Sequence, residues 1–401
     1  MSLIKKISSI FLILAAGIIF SCTNKTGVVL ETIESSSKKE ESVKLDNITI
    51  KEIEKYGNII LSIPGTDFLN AGFNYEDIIT VSFLDKKIDM PVCEDYFDVE
   101  NGNYICRVNI DKDSNVKKVT LAITMGDFAT TNGIAIKELS NDAIGYKWNY
   151  VNEAAKTCSF SFELKQKGGY HEGYLLHHLT GSYNRDDFKN LTDEEFANFR
   201  MINTTGIGEG KIYRSSSPVN PELNRNTYAM EATEKHGIKT IINLADTEKE
   251  LNSRNGYEGT YYSKQKVIAL GLGLDFYSES FKQGIVKAMH FMAENDAPYL
   301  IHCTEGKNRA AYLSMIIECL MGANIDEITN DYMLSFYNYY GITSNTEQYD
   351  IIKNNDIIKQ IKTTFNISDV SNANLSELCE KYLISIGVTE EDIQKLKSKL
   401  Q

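Results

Sequence analysis

Cys303 and Arg309, six residues apart, are the pair in this chain on which chemistry can be built. His302 precedes the cysteine, and Thr304, Glu305, Gly306, Lys307 and Asn308 fill the interval. Backbone N–H groups that converge at the start of a helix bind anions, and they lower the pKa of a thiol placed among them. The planar fork of an arginine at the end of such a loop can grip two oxygens of a phosphate. Gly306 lets the backbone come close to a ligand and take a positive φ. Lys307 adds a second positive charge at the mouth. Together these residues suit in-line attack of sulfur on phosphorus, giving a cysteinyl-phosphate that water later hydrolyses. No cofactor is needed for that reaction. No His/Cys spacing has the pattern of a metal site, so no metal is expected.

The elements that must position this loop follow from the flanking pattern. The apolar run Tyr299 to Ile301 reads as a buried strand and Ala310 to Met321 as an apolar helix, so the cysteine enters, and the arginine leaves, a strand–loop–helix turn. Upstream, Lys211 to Pro218 reads as a strand running into a polar loop, Asn226 to His236 as a helix stopped by Gly237, and Ile238 to Leu244 as a buried strand ending near Asp246. A helix is expected over Phe188 to Phe199, opened by the acid-rich Leu191 to Glu195, and another over Phe281 to Asn295. Two more, Leu375 to Ile386 and Thr389 to Leu400, should close the chain. This alternation predicts an α/β domain over residues 187–401, a mainly parallel sheet flanked by helices with the site at the carboxyl ends of its strands.

Residues 45–138 read differently. Short β-branched runs at Asn58 to Ile63, Ile78 to Phe83, Tyr104 to Val108 and Val119 to Ile123 are punctuated by Pro64-Gly65, Asn101-Gly102 and Asp111 to Asp113. They predict a small all-β barrel or sandwich, joined to the α/β domain by a connecting segment at 139–186. Residues 23–44, with Ser35-Ser36-Ser37-Lys38-Lys39-Glu40-Glu41, have no apolar periodicity and read as a solvated tether. Before them, Lys5 and Lys6 followed by the apolar stretch Ile7 to Phe20 form a targeting signal too short to span a membrane.

Formal net charge is -13 over 401 residues. A surface that acidic argues against nucleic acid and against general attraction to anionic membranes. A phosphate site must then be a local positive island, and Lys307 with Arg309 supplies one. Of the seven cysteines, Cys319 lies on the apolar helix and is expected in the core. Cys93 and Cys106 share the β-rich segment, where a bridge is permitted outside the cytosol but spacing alone does not pair them.

His-Cys-Thr-Glu-Gly-Lys-Asn-Arg resembles the signature of the cysteine-dependent protein tyrosine phosphatase superfamily. Tyr213-Arg214-Ser215-Ser216-Ser217-Pro218, Asn243-Leu244-Ala245-Asp246, Leu320-Met321-Gly322-Ala323 and Asp331-Tyr332-Met333 occur in the order seen in bacterial tyrosine/serine-type phosphatases. The resemblance implies an α/β phosphatase fold, Cys303 as nucleophile and Arg309 as the clamp on the transition state. It also implies substrate contacts from His302, Thr304, Glu305, Gly306, Lys307 and Asn308, with Arg214 either binding a further oxygen or tying loops together. Asp246 and Asp275 are the candidate general acids, with Glu305 a third possibility. Asp275 lies 28 residues before Cys303, close to the separation used in dual-specificity phosphatases, and Asp246 matches a strand-end aspartate of the closer relatives. Asp246 is narrowly favoured.

Two positions depart from the family pattern: Asn308, where many relatives carry aspartate, and Ala310, where a hydroxyl is common. The expected substrate is a phosphorylated one, phosphotyrosine-like or, as Lys307 suggests in relatives, an inositol phosphate; a phosphate-binding pseudophosphatase is the non-enzymatic alternative. Ile19-Phe20-Ser21-Cys22 resembles a bacterial lipobox and implies a lipid anchor on Cys22 and an extracytoplasmic, membrane-attached protein, or a secreted one where ordinary cleavage near Ser21 replaces the lipid. Tyr56 to Ile60 and Asp98 to Gly102 resemble the small barrel of S-adenosylmethionine hydroxide adenosyltransferases, a hint of fold without catalytic residues. No obligate protein partner is indicated.

Overall fold

Strands, mostly antiparallel, supply most of the regular structure in the first half of the protein. β1 (Lys44–Ile53), β2 (Ile59–Pro64), β3 (Ile78–Phe83), β4 (Lys86–Cys93), β5 (Tyr104–Ile110) and β6 (Lys117–Ile123) are followed by the hairpin β7 (Ala135–Leu139) and β8 (Tyr146–Tyr150), and then by β9 (Ser159–Gln166). Seven of them close a barrel in the order β1-β2-β6-β5-β4-β3-β9, with β9 returning to β1. The computed structural model describes residues 43–110, 116–140 and 145–401; the expected targeting signal, Cys22, nearly all of the tether and the turn at Asp111 to Asp113 lie outside them.

The inward residues of the barrel are mostly large. β3 buries Ile79, Val81 and Phe83 on alternate positions, and β9 buries Phe160 and Phe162. Phe68 stacks on Phe73 with centroids 4.6 Å apart and meets Phe162 edge-on at 5.4 Å. Such ring pairs fill a small barrel with few voids. The segment expected to be a connector contributes β9, so the barrel extends beyond residue 138. Cys93 and Cys106 are both free and buried. Val92 pairs with Cys106 and Cys93 with Arg107, so the two thiols leave adjacent strands on opposite faces and no bridge can form.

The second half is the α/β arrangement. β10 (Arg200–Met201), β11 (Ile212–Ser215), β12 (Thr240–Asn243), β13 (Lys266–Ala269) and β14 (Tyr299–His302) form one sheet in the order β10-β11-β14-β12-β13. All neighbours are parallel except β10 with β11. The helices that matter here are α1 (His171–His177), α2 (Asn226–Lys235), α3 (Glu279–Glu294), α4 (Arg309–Met321), α5 (Ile325–Tyr340), α6 (Leu375–Ile386) and α7 (Glu390–Leu400). α4 is buried from Ala310 to Met321, because the sheet, α5 and α6 surround it. The helix expected over Phe188 to Phe199 is only a turn at Arg185–Phe188 and another at Asp193–Phe196, the second opened by a Thr192/Glu195 capping box. Asn198 then takes φ 53°, which ends helical geometry.

Barrel and sheet belong to one compact unit, residues 43–401. α1 joins them: His171 contacts Glu76 of the barrel at 2.8 Å and Glu347 of the α/β half at 3.3 Å. His178 reaches the buried Asp98 at 2.8 Å. No helix among the described residues is long and apolar enough to cross a membrane.

Candidate active site

β14 occupies the centre of its sheet, with His302 beside Ser215 of β11 and Asn243 of β12. The loop from Cys303 to Asn308 therefore leaves the sheet between the ends of two parallel neighbours, and Asn308 is the N-cap of α4. Cys303 is 2% exposed at the floor of this loop.

The conformation of the loop is held from outside through its carbonyl groups. The Cys303 oxygen faces His302 Nδ1 at 3.3 Å. The Thr304 oxygen accepts from Ser217 N–H at 3.0 Å, and the Glu305 oxygen from Asn198 Nδ2 at 3.0 Å and Tyr339 Oη at 2.8 Å. Arg214 donates to the Gly306 oxygen from Nε at 2.8 Å and to the Lys307 oxygen from Nη2 at 3.4 Å. Five consecutive carbonyls thus point into the scaffold, and peptide planarity turns the N–H groups the other way. Among the described residues, no acceptor takes the N–H of Thr304, Glu305, Gly306, Lys307 or Asn308. A ring of free amides at a helix N-terminus is an anion site. Gly306 makes the curvature possible: its φ is 71°, and a Cβ there would lie 2.2 Å from the Ser215 oxygen.

Arg309 closes the ring. Nη1 donates to the Leu272 oxygen at 2.8 Å and Nη2 to Thr304 Oγ1 at 3.1 Å, while Nε is buried without a partner. Two anchored nitrogens fix the plane of the guanidinium and leave a donor for an anion.

His302 is fully buried, and burial pushes its pKa down to about 4, against the opposing pull of the Cys303 carbonyl and Asp246. The ring is neutral. Nδ1 faces a carbonyl and so carries the hydrogen, leaving Nε2 to accept from Tyr262 Oη at 2.7 Å. His302 thereby orients the backbone of Cys303.

Asp246 differs from expectation. It is 4% exposed; Arg254 Nε donates to its Oδ1 at 3.2 Å, Arg254 Nη2 donates to the same oxygen, and Asn243 Nδ2 donates to Oδ2 at 3.0 Å. Burial raises its pKa, but the Arg254 and Asn243 bonds outweigh that and hold the carboxyl below its ordinary range. A carboxylate so held is an ionised anchor and a poor proton donor. Asp275 is exposed instead, on the loop between β13 and α3, where Tyr277 N–H meets its Oδ1 at 3.2 Å. That loop is tied to the site because Leu272, three residues earlier, supplies the carbonyl that fixes Arg309.

Two roles are open to Arg214, binding a further oxygen or tying loops together. It is 1% exposed and spends its donors on Gly306, Lys307, Ser335 and Asp331, so it supports the loop from beneath and does not meet a substrate. Lys307 lies away from the mouth: Nζ donates to Tyr340 Oη at 2.7 Å, sits 4.7 Å from that ring's centroid and 5.4 Å from that of Phe336, and is 3.6 Å from Glu305. Burial opposes its charge, but Glu305 and Tyr340 outweigh burial and raise its pKa. Thr304 serves through its hydroxyl contact to Arg309, and Asn308 is half-buried at the loop's end.

Sequence reasoning missed the supports. Asp331 on α5 receives Arg200 Nε at 2.7 Å as well as Arg214, and Asn198 links Glu305, Ser335, Arg200 and Asn338. Asp331 sits in a motif noted above, but nothing in its spacing reveals that two arginines share it. Away from the loop, His290, Glu294 and Asp392 bring ligand atoms within 4.8 Å of one another. His290 Nδ1 already lies 3.1 Å from Asp392 and Glu294 pairs with Lys395, so these ligand atoms already have protein partners.

No curated protein matches the chain. Among solved structures, an uncharacterized conserved protein from Thermotoga maritima is 18% identical with a TM-score of 0.21; the match covers 29% of this chain and 35% of that one, so the chain spans about a third of its length. The core catalytic domain of the PP-IP phosphatase Siw14 from S. cerevisiae, solved with citrate, is 22% identical over 43% of this chain and 96% of that one, with a TM-score of 0.26. A second structure of the Siw14 catalytic core is 20% identical over 43% and 95%, with a TM-score of 0.24. The model of the tyrosine phosphatase family matches residues 194–401, just over half of the chain and the whole sheet that carries the cysteine loop, and the chain belongs to that family.

Proposed function

We propose that this phosphatase hydrolyses aryl phosphate monoesters of the phosphotyrosine type through a cysteinyl-phosphate on Cys303. The observation that carries the reading is the set of five outward-held carbonyls, which leaves the loop amides and Arg309 Nε without protein partners in the loop that Cys303 opens. Sulfur attacks phosphorus in line, the amides and Arg309 hold the three equatorial oxygens as charge spreads onto them, and the leaving oxygen takes a proton. Asp275 is the acid in this scheme, since Asp246 is held ionised by Arg254. Water then attacks the cysteinyl-phosphate and returns the thiolate.

The rim favours a compact aryl ester over an inositol phosphate. Lys307, the residue that suggested a polyanionic substrate, is packed on Tyr340 and Phe336, and the loop that carries Asp275 presents the exposed Leu274 and Tyr277. An extracytoplasmic placement through a lipid on Cys22 belongs to the same proposal and rests on the basic and apolar N-terminal sequence; the mass of the mature N-terminal peptide tests it.

The test of function is turnover of p-nitrophenyl phosphate, a phosphotyrosyl peptide and inositol hexakisphosphate by the chain lacking residues 1–22, beside Cys303→Ser. Turnover of the first two, abolished in Cys303→Ser, is expected. Preference for the inositol phosphate would overturn the substrate class. Vanadate binding without turnover would make the protein a phosphate binder, in line with Asn308 and Ala310.

A further inference from the structure

The barrel carries a surface that its packing does not explain. Tyr56 after β1, Phe97 on the turn between β4 and β5, and Met125 after β6 are 70%, 79% and 86% exposed, and all three border one cleft of about 780 Å³. Ile123 and Tyr96 supply further apolar wall, and Asn58 and Thr124 a few polar groups. Concave, largely apolar spaces of this size with few polar groups are where small organic molecules bind. Met125 adds a second sign. Its φ is 58°, a conformation that an unbranched apolar side chain pays to adopt, and the residue gives nothing to the core in return. Asparagine or glycine would sit there at less cost, and strain kept at an exposed apolar residue points to use by a ligand.

The charge at the cleft is positive although the chain is acidic overall. Lys55 and Lys137 both line it. Lys137 Nζ donates to the Lys55 carbonyl at 2.6 Å and lies 4.7 Å from the Tyr146 ring centroid, with Tyr56 and Trp148 each at 5.9 Å. Lys55 Nζ lies 5.4 Å from the Tyr56 centroid. Neither ammonium has a carboxylate partner among the described residues. Asp127, the carboxylate in the lining, is occupied by Thr130, whose N–H and Oγ1 each donate to it at 2.8 Å. Glu54 nearby accepts from Asn58 Nδ2 at 3.2 Å.

We propose that this cleft binds a flat, apolar small molecule carrying one anionic group, its rings against Tyr56, Phe97 and Met125 and its anion toward Lys55 and Lys137. The inference concerns the barrel and stands apart from the phosphatase reading.

The probes are 8-anilino-1-naphthalenesulfonate and its uncharged counterpart N-phenyl-1-naphthylamine, titrated by fluorescence into the full chain under native conditions. Saturable binding of the sulfonate is expected, weakened about tenfold or more in Phe97→Ala/Met125→Asn, a loss of roughly 1.4 kcal/mol. Lys55→Gln/Lys137→Gln should weaken the sulfonate about fivefold or more and leave the neutral probe within about twofold, because only the sulfonate loses a charge partner. Melting curves for each variant separate lost binding from lost fold, and Met125→Asn should melt no lower than the parent. No saturable binding by the parent, or an unchanged affinity in the folded Phe97/Met125 variant, overturns the proposal. Equal weakening of both probes by the lysine substitutions overturns the anionic part.

Discussion

Replacing Gly306 by alanine tests the claim that scaffold contacts shape the phosphate loop. Two costs follow from the geometry. Alanine at φ 71° pays the left-handed penalty, about 1–2 kcal/mol. Its Cβ would also sit 2.2 Å from the Ser215 oxygen, 2.4 Å from the Ser215 carbonyl carbon and 2.8 Å from Ser216 N. Those atoms cannot retreat easily, because Ser215 is paired in the sheet with His302 and Ser216 is bonded to Ala197. Relief of such an overlap costs about 1–3 kcal/mol. The total is about 2–5 kcal/mol. If the loop moves, the cost falls on the transition state, and kcat/KM drops by about 30-fold to about 5,000-fold. If the loop stays, the cost appears in the free energy of unfolding. Measuring both, by p-nitrophenyl phosphate hydrolysis and urea denaturation of the full chain, captures either outcome. Gly322→Ala is the control: its φ is 93° with nothing within 4 Å of the added Cβ, so it should lose about 1–2 kcal/mol of stability with turnover unchanged. A Gly306→Ala protein within about threefold of the parent in kcat/KM and within about 0.5 kcal/mol in stability would refute the reasoning, since both fall below the cost worked here.

The two aspartates should separate by assay. Asp275→Asn is expected to lower kcat by about 10²–10⁴-fold, whereas Asp246→Asn should act chiefly on stability by releasing Arg254; the reverse pattern would reinstate Asp246 as the acid. His302 sets an acid limit on folding: its folded pKa of about 4 lies below the unfolded value of 6.5, so the unfolded state binds the extra proton and stability falls as pH drops from 6.5 toward 4. That loss reaches about 3 kcal/mol, and melts across this range should show a shallower acid slope in His302→Gln than in the parent. Asp331→Asn strands Arg214 in the interior without its counter-ion and should cost about 3–5 kcal/mol in urea denaturation; a loss below about 1 kcal/mol would mean that Ser335 and the loop carbonyls suffice.

The cysteine loop was legible because its parts are contiguous: strand, thiol, glycine, arginine and helix occupy one stretch, and local rules read such stretches well. Long-range pairing was not. Whether Asp246 gives up a proton depends on Arg254, eight residues on, and whether Arg214 meets a substrate depends on Asp331, more than a hundred residues on. Lys307 was read as a mouth residue because its rings, Phe336 and Tyr340, come from α5. The closing strand of the barrel escaped for another reason. Ser159 to Gln166 alternates as a strand should, but only Phe160 and Phe162 are deeply buried, and its outer face is polar and charged, with Glu163 paired to Lys44. The helix expected at Phe188 to Phe199 failed because the pattern is amphipathic while Asn198 turns left-handed to reach Glu305.

The complete burial of α4 has a consequence for descent. A helix with no solvent face has no position at which substitutions accumulate without being felt, because each one presses on a neighbour, and this helix begins at the arginine that holds the anion. Strands β3 and β9 of the barrel are the opposite case, since they bury only alternate residues and leave an outer face freer to vary. Over long divergence the two halves of this protein should therefore keep time at different rates. A lineage could exchange the outer faces of those two strands while the buried helix stays nearly as it was.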